Sequence, residues 1–450
     1  MAKLDPEFMP LASMHRSQFE TVRSSGDPDT LRLALERENG NISIFETAIG
    51  DANDPATLLQ AERLAKFFLW SAGGWRLFIC APENIARHVA KTYARSGERS
   101  FDVDLMERVY EKSFEVVIVD SAGFPSARES ETTLGGNLDG YRIGFDLGAS
   151  DYKVAAVRNG EVVYCDEFPW NPKDQSDPEY HYKHLNEGLR KAAAHLPQVD
   201  AIGGSSAGVV VDNRFMVASL LRSIPADKMP VARNLFLRLR EEWGVPFEVV
   251  NDGDVTALAG AMSLGVTGLL GIAMGSSEAA GYINPEGKMT GWLNELAFAP
   301  VDANPGAAVD EWSGDRGVGA LYFSQQAVNK LLPAAGIAVR PGLGLPERLK
   351  HVQALMADGD PDAESIYETI GAYLGHVLPL YAQFYKIHHV LVLGRVTTGQ
   401  GGGVVLSKAR EVLQRDYPDL AGRLELHLPD EKSRRVGQAV AAASLPKLNP

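Results

Sequence analysis

FEVVNDGDVTALAGA, residues 247–261, predicts a buried strand that runs directly into a helix. Its first four residues are rich in β-branched and aromatic side chains, as an inner strand requires. Asp254 precedes an apolar run with helical spacing, so it is the expected N-cap of the helix. Asn251 and Asp252 then lie at the carboxyl end of a strand, where open α/β sheets place ligands. Asp252 is either a general base or a second turn-forming residue, and this stretch alone does not separate the two.

The composition is that of a globular protein long enough for two or three domains, with 450 residues of which 45% are hydrophobic and 23% charged. A formal net charge of −14 argues against nucleic acid or an anionic membrane as the main partner. The chain shows no long apolar span and no signal peptide pattern. Its two cysteines are too few for a disulfide framework or a thiolate zinc site, so we expect a cytoplasmic protein without zinc.

Two segments repeat the same order of predicted strands and glycines. YRIGFDLG, YKVAAV and EVVYCDEF are predicted as three strands, with a glycine loop after the first and an Asn159-Gly160 hairpin turn after the second. GLLGIAMG, AAGYIN and KMTGW repeat this order 127 residues later. Gly148 and Gly160 are 12 residues apart, as are Gly275 and Gly287. This spacing predicts a duplicated architecture with two facing loops, and the alternative is a chance similarity of two β-meanders.

The flanking segments carry fewer signals. ISIFETAI, WRLFICAP and FEVVIVDS predict strands of a small α/β unit near the N-terminus, for which dimerisation, giving a homodimer, and a lid over a cleft are both open roles. The opening nine residues, MAKLDPEFM, resemble an expression-vector leader and are left out of the fold prediction. Near the C-terminus, HHVLVLG predicts a strand that leads through a glycine-rich loop into the helix VVLSKAREVLQ, an order suited to an anion or a nucleotide.

Taken together, these motifs resemble the actin-like ATPase superfamily, and within it the ROK family of repressors, uncharacterised reading frames and sugar kinases. The resemblance covers roughly residues 141–445. Asn251-Asp252 stands where the family's Asn-Asp pair contacts sugar and supplies the base. The other matching segments are IGFDLGA at the first phosphate motif, GGSSAGVVVD at the GxPGxVD-like segment, IAMGSS at the second phosphate loop and LVLGR at the adenosine motif.

The resemblance implies a mixed α/β protein with the two-lobed actin-like ATPase fold, a duplicated ribonuclease H-like fold, and an additional N-terminal α/β extension. The implied domain order is given by residue ranges on this chain. These are an extension at 1–122, a linker at 123–140, a first lobe at 141–262, a second lobe at 263–430, and a C-terminal helix at 431–450 that returns to the first lobe.

It also implies ATP- and Mg²⁺-dependent phosphoryl transfer to a hydroxyl of a sugar or amino sugar, with Asp252 as general base. Asp146 would hold Mg²⁺ through water, as this cation retains much of its hydration. Substrate contacts are implied for Asn251, Glu295 and Gly208. Besides Asp146, the implied nucleotide-binding residues are Gly148, Ser150, Gly275, Ser276, Ser277, Gly394, Gly401 and Gly402.

Several features depart from the family pattern. The second phosphate loop, AMGSSEAAG, has less glycine than the family's GTGIGGG, and the Glu-x-x-His motif becomes Glu295-Leu-Ala-Phe298. The family's cysteine-rich zinc segment and the helix-turn-helix of its repressors have no counterpart here. The lost histidine and the altered second loop favour an alternative, a nucleotide-binding regulator or scaffold without kinase activity, while the retained Asp146, Asn251, Asp252 and Glu295 favour a kinase. An ATPase or an acyl-group activator is a third reading with no specific signal.

Overall fold

A computed structural model describes residues 2–15, 29–129, 135–429 and 437–448 of the chain. Residues 130–134 of the expected linker and 431–436 of the expected C-terminal helix lie outside the described residues. The chain forms two compact units, and each draws on separate stretches of sequence. Unit 1 comprises Met1–Ser130, Ile272–Ala280 and Gly291–Leu428, and unit 2 comprises Glu131–Gly271, Gly281–Thr290 and Pro429–Pro450.

Strands and helices are interspersed along the described chain, as in a mixed α/β protein. The strands are β1 Asp29–Glu36, β2 Ile42–Ile49, β3 Arg76–Cys80, β4 Glu115–Ile118, β5 Tyr141–Leu147, β6 Asp151–Arg158, β7 Glu161–Pro169, β8 Ala201–Ser206, β9 Val209–Val211, β10 Arg214–Val217, β11 Phe247–Asn251, β12 Leu269–Met274, β13 Glu278–Ile283, β14 His389–Leu393 and β15 Glu425–His427. The helices are α1 Pro55–Ala72, α2 Glu83–Thr92, α3 Ser100–Tyr110, α4 Pro178–Ala193, α5 Met229–Arg233, α6 Leu235–Trp243, α7 Asp252–Leu264, α8 Gln325–Leu331, α9 Leu345–Ala357, α10 Pro361–Phe384, α11 Gly401–Asp416, α12 Pro418–Ala421 and α13 Gly437–Ala443. None of the helices in the described ranges combines the length and apolar character that a bilayer crossing demands.

Unit 2 is organised around a five-stranded sheet with the order β11-β8-β5-β6-β7. The strands β5, β8 and β11 are parallel, while β6 and β7 continue the sheet as antiparallel hairpins. The turn between β6 and β7 has Asn159 and Gly160 at φ 49° and 83°, the left-handed conformation that a two-residue hairpin turn needs. The parallel strands end at one edge of the sheet, because Leu147 and Asn251 both pair with Ser206.

Both faces of this sheet are covered within unit 2. On one face, Phe145 packs near Phe236 and Phe247, with ring centroids 6.0 Å away in each case. On the other face, the short helix α13 lies directly on the strands. A Cβ added at Gly144 or Gly203 would come within 1.8 Å of an α13 carbonyl oxygen. The glycines in these strands are therefore required by the close approach of the helix.

Unit 1 contains one complete further sheet and the larger part of another, since the first residues of β12 and the last residues of β13 are assigned to unit 2. The first has the order β2-β1-β3-β4, with β1 antiparallel to both of its neighbours and β3 parallel to β4. Its central strand, β1, was not predicted, whereas the strands at ISIFETAI, WRLFICAP and FEVVIVDS are present. The second has the order β13-β12-β14-β15, with β14 and β15 parallel. The helix α10 packs tightly on α11, because a Cβ at Gly371 would lie 2.5 Å from the Val405 carbonyl oxygen.

Three local predictions were wrong. The helix α7 begins at Asp252, because the Asn251 side chain accepts from the Gly253 N–H at 2.7 Å and caps it, so Asp254 is not the N-cap. KMTGW forms no strand, and Met289 makes a single bridge to Ile283. The glycines at 401–403 belong to the first turn of α11 and not to a loop.

Residues 2–9, which belong to the opening segment that the fold prediction left out, pack within unit 1. Asp5 accepts from the hydroxyl of Tyr373 at 2.5 Å and from the Lys330 ammonium group at 3.1 Å. Phe8 lies with its ring centroid 4.6 Å from that of Tyr373. The segment is therefore part of the fold, although its sequence resembles an expression-vector leader.

Candidate functional site

Polar residues gather at the edge of the unit 2 sheet where β5, β8 and β11 end. Asp146 on β5 pairs with Ser205 on β8, and Ser205 pairs with Val250, the residue before Asn251. The Ser205 hydroxyl donates to Asp146 Oδ1 at 2.8 Å. The register of three parallel strands thus brings Asp146, Asn251 and Asp252 to one sheet edge, as a ligand site in an open α/β sheet requires. Ser205 was missed in the sequence, where its small polar side chain in a glycine-rich strand carried no signal.

Asn251 is held by bonds on both sides of its amide group. Its Nδ2 donates to the Gly208 carbonyl at 3.0 Å, and its Oδ1 accepts from the Gly253 N–H. Gly208 has φ 104°, and a Cβ there would lie 2.6 Å from the Val217 carbonyl oxygen. Asn251 and Gly208, both expected to contact substrate, are therefore in contact with each other. The amide of Asn251 has a defined orientation.

Asp252 carries the main electrostatic feature of unit 2. The residue keeps partial exposure, yet protein atoms crowd its carboxyl group. This burial, together with the negative charge of Asp146, raises the pKa of Asp252 to about 7. Burial also raises the pKa of Asp146, although the hydrogen bond from Ser205 opposes the shift. A carboxyl group that titrates near neutral pH can accept a proton without holding it tightly.

The two carboxyl groups fit a hydrated Mg²⁺. They are hard oxygen donors, the ligand type that this cation prefers. Their charges repel in its absence, since Asp146 raises the pKa of Asp252. A cation beside Asp146 would relieve that repulsion.

The two predicted phosphate loops have similar local geometry. In unit 2, the Gly148 N–H donates to the Asp151 carbonyl at 3.0 Å, and Ser150 is exposed at the loop tip. In unit 1, the Gly275 N–H donates to the Ser277 carbonyl at 3.0 Å, and Ser276 and Ser277 are exposed. Each loop thus closes through its glycine N–H and presents serine hydroxyls to solvent. Those two N–H groups are already used within the loops.

The glycines predicted to contact adenosine, Gly394, Gly401 and Gly402, have different structural roles. Gly394 has φ 99°, and a Cβ there would lie 2.5 Å from the Met274 carbonyl oxygen, so it brings the end of β14 beside the second phosphate loop. Gly401 and Gly402 are buried. A Cβ at Gly401 would lie 2.3 Å from the ring of Tyr367, so its small size is used for helix packing.

Glu278 is a buried carboxyl group that the sequence prediction missed. It is 4% exposed, and its Oε2 has no hydrogen-bond partner among the described residues. Burial, and further the negative charge of Glu295, raises the pKa of Glu278 to about 8. Gly319 leaves room for it, because a Cβ there would lie 2.2 Å from Oε2. The only indication of Glu278 in the sequence is that a glutamate stands in the second phosphate loop, where the ROK family has small residues.

Phe298, which stands in place of the family's histidine, belongs to an aromatic cluster. Its ring centroid lies 4.6 Å from that of Trp70 on α1 and 5.4 Å from that of Phe101 on α3. Glu295 lies in the same short segment, and its N–H donates to the Trp70 carbonyl at 3.0 Å. The substitution therefore makes a packing surface for the N-terminal helices of unit 1.

The expected site residues are divided between the units. Those in unit 2 are Asp146, Gly148, Ser150, Gly208, Asn251 and Asp252, and those in unit 1 are Gly275, Ser276, Ser277, Glu295, Gly394, Gly401 and Gly402. Within unit 2 the structure brings Asp146 and Asp252 together. Within unit 1 it brings Gly394 to the second loop.

A strand–glycine loop–strand unit occurs twice in this mixed α/β protein, at β5–β6 and at β12–β13. No family model matches the sequence, and no curated protein matches it either. Solved structures match with high confidence, and they identify the fold more narrowly as that of ROK family proteins. The resemblance to ROK family proteins and the predicted mixed α/β fold class are confirmed at the level of the fold.

Three solved structures illustrate the likeness. The ROK hexokinase from Thermus thermophilus is 19% identical with a TM-score of 0.53, and the match covers 67% of this chain and 97% of that chain. A ROK family transcriptional regulator, a homologue of the E. coli MLC protein, is 19% identical with a TM-score of 0.54, covering 68% and 79%. A ROK family protein from Streptococcus pneumoniae TIGR4 in complex with sucrose is 11% identical with a TM-score of 0.50, covering 67% and 96%.

Proposed function

We propose that the protein is an ATP- and Mg²⁺-dependent carbohydrate kinase in which Asp252 is the general base. The observation that carries the proposal is the position and electrostatics of Asp252, at the end of β11 with a pKa of about 7 and coupled to Asp146. The same-fold hexokinase and the same-fold protein that holds sucrose support a polyhydroxyl substrate.

In this proposal each residue has a separate task. The amide of Asn251, oriented by Gly208 and Gly253, contacts a substrate hydroxyl. A carboxylate oxygen of Asp252 would accept the proton of the attacking hydroxyl while the hydroxyl oxygen bonds to the γ-phosphorus of ATP, the bond from that phosphorus to the bridging oxygen breaks, and ADP leaves. Asp146 would hold Mg²⁺ through water, and that cation would neutralise phosphate charge. The exposed hydroxyls of Ser276 and Ser277 would donate to phosphate oxygens.

The test is ATP turnover with a panel of neutral hexoses and N-acetylated amino sugars, measured as ADP release. We expect Asp252→Asn to lower kcat by about 10²–10⁴-fold, the range for loss of a general base. The melting-temperature rise that MgADP causes should persist in this variant and disappear in Asp146→Ala. In the wild type, kcat/KM should increase with pH through about 7, because only ionised Asp252 accepts the proton.

Asp254→Asn is the matched control, since Asp254 lies in the same helical turn but has no assigned role in the site. Its turnover should equal that of the wild type. Unchanged turnover in Asp252→Asn would remove Asp252 as the base. The absence of a melting-temperature shift with every nucleotide would contradict nucleotide binding altogether.

A second candidate is a nucleotide-binding regulator or scaffold without kinase activity. The observation that favours it is Phe298, whose ring packs against Trp70 and Phe101 where the family has a histidine. A transcriptional regulator with the same fold supports this reading. The two functions separate clearly, because a regulator would show the MgADP shift and no turnover with any sugar.

A further inference from the structure

The parallel pairing of β14 with β15 places two histidines and a glutamate on one face of the second sheet of unit 1. His389 pairs directly with Glu425, and His427 lies two residues further along β15. Side chains alternate between the faces of a strand, so Glu425 and His427 share a face with their neighbour on β14. Among the described residues, this is the group of histidine and acidic side chains with the spacing of metal ligands.

Three atoms of this cluster form a compact triangle. His389 Nδ1 lies 3.1 Å from His427 Nε2, and Glu425 Oε2 lies 3.8 Å and 3.7 Å from these two nitrogens. The circle through three points with these separations has a radius of about 2.1 Å. That radius matches the bond lengths of Zn²⁺ to imidazole nitrogen and carboxylate oxygen, which are about 2.0–2.2 Å.

Hydrogen bonding alone does not account for this arrangement. The two nitrogens are within hydrogen-bond distance of each other, but both distances to the Glu425 oxygen exceed the range of a hydrogen bond. The nearby cation Arg410 is held elsewhere, since its Nη2 donates to the Leu426 carbonyl at 2.6 Å. A cation at the centre of the triangle would satisfy all three atoms at once.

Exposure leaves room for a further ligand. The side chains of His389 and His427 are 18% and 20% exposed, whereas that of Glu425 is 72% exposed. The histidines are therefore held by their strands, and the carboxylate side is open to water. A fourth, water ligand on this side would draw the ion slightly out of the plane of the three atoms and complete the tetrahedral coordination that Zn²⁺ prefers.

We propose that His389, Glu425 and His427 bind one Zn²⁺ ion. The cysteine count excludes a thiolate zinc site, but it says nothing about a site of two imidazoles and one carboxylate. The ion would tie β15, a three-residue strand at the sheet edge, to β14. This site is independent of the proposed sugar-kinase chemistry.

The test uses the full chain without a histidine tag, treated with EDTA and dialysed, then titrated with ZnCl₂ by calorimetry. We expect one Zn²⁺ per chain and a rise in melting temperature. Glu425→Gln and His427→Ala should each weaken binding by at least about tenfold, since each removes a ligand. CoCl₂ should give a visible absorption band in the wild type, and both variants should weaken it.

His388→Ala is the matched control, because His388 is the exposed neighbour of His389 in sequence. Its Zn²⁺ affinity should equal that of the wild type. A wild-type chain that binds no Zn²⁺, or an equal loss of affinity in His388→Ala, would overturn the site. Glu425→Gln keeps the test decisive even if His427→Ala does not fold, since Glu425 is exposed.

Discussion

At the residue scale, the strand end at Asn251 shows both the reach and the limit of sequence reasoning. The β-branched run predicts β11 correctly, and the Asn-Asp pair after it lies at the sheet edge. The N-cap was misplaced by three residues, at Asp254 instead of Asn251, because an asparagine and two aspartates compete for this position. Only the tertiary bond from Asn251 to Gly208, 43 residues away, shows how its amide is oriented.

Glu278 could not be identified in advance, because its burial depends on residues distant in sequence. The glutamate opens β13, and neighbours such as Tyr381 and Gly319 come from much later segments. Its folded-state pKa of about 8 lies above the ordinary 4.5, so the folded protein binds this proton more tightly than the unfolded chain. The associated stability is present below pH 4.5 and is lost as pH rises through 8.

We therefore expect Glu278→Gln to stabilise the protein increasingly as pH rises. The neutral amide avoids the buried charge, and the gain at pH 8 should be roughly 2–4 kcal/mol, falling to nearly zero at pH 4.5. Urea unfolding across this pH range measures it. Glu286→Gln, at an exposed turn, should show no such trend. A stability difference between Glu278→Gln and wild type that does not change with pH would refute the assignment.

At the element scale, the repeat of strand, glycine loop and strand was predictable because hairpins depend on local signals. β5, β6, β7, β12 and β13 all lie close to the predicted positions. The third strand predicted for the second copy of the repeat, KMTGW, is absent, since Met289 makes only a single bridge there. The central strand β1 was missed, and the strand glycines Gly144 and Gly203 gave no indication that a helix from the C-terminus would cover them.

These strand glycines predict a specific steric sensitivity. Gly203→Ala would place its Cβ 1.7 Å from the Ala442 carbonyl oxygen, so α13 must shift away from the sheet. We expect a loss of about 3 kcal/mol or more, at the upper end for overpacking. Urea denaturation measures the change. Gly403→Ala is the control, because nothing lies within 4 Å of a Cβ there. Equal stability of the two variants would contradict the packing of α13.

At the scale of the molecule, a buried ion cluster joins the N-terminal segment of unit 1 to the segment after residue 291. Asp315 lies within 3.0 Å of charged atoms on three cations. They are Arg63 and Lys66 on α1 and Arg99 just before α3. Lys66 also contacts Asp102 at 2.9 Å. Neither segment showed this in its sequence, because charged residues far apart in a chain give no pairing signal.

Removing the shared acid should be costly. Asp315→Asn leaves three buried cations with less compensation, and we expect a loss of about 3–5 kcal/mol, as for other broken buried ion pairs. Thermal and urea unfolding measure it. Its effect should diminish as pH falls below 3.8, since the nearby cations lower the pKa of Asp315 against an opposing burial effect. Glu83→Gln, which breaks an exposed pair with Arg87, should leave stability nearly unchanged.

The ion cluster also constrains how such a protein can evolve. Lys66, Arg63 and Arg99 come from the N-terminal segment, where Glu62 and Asp102 also pair with them, whereas Asp315 comes from the later part of the chain. A chain without the N-terminal segment would lack the three cations that pair with Asp315, and a chain without the later segment would leave those cations with only Glu62 and Asp102. Loss of either segment alone would therefore disturb the charge balance of the other, so we expect it to require compensating substitutions in the ion cluster.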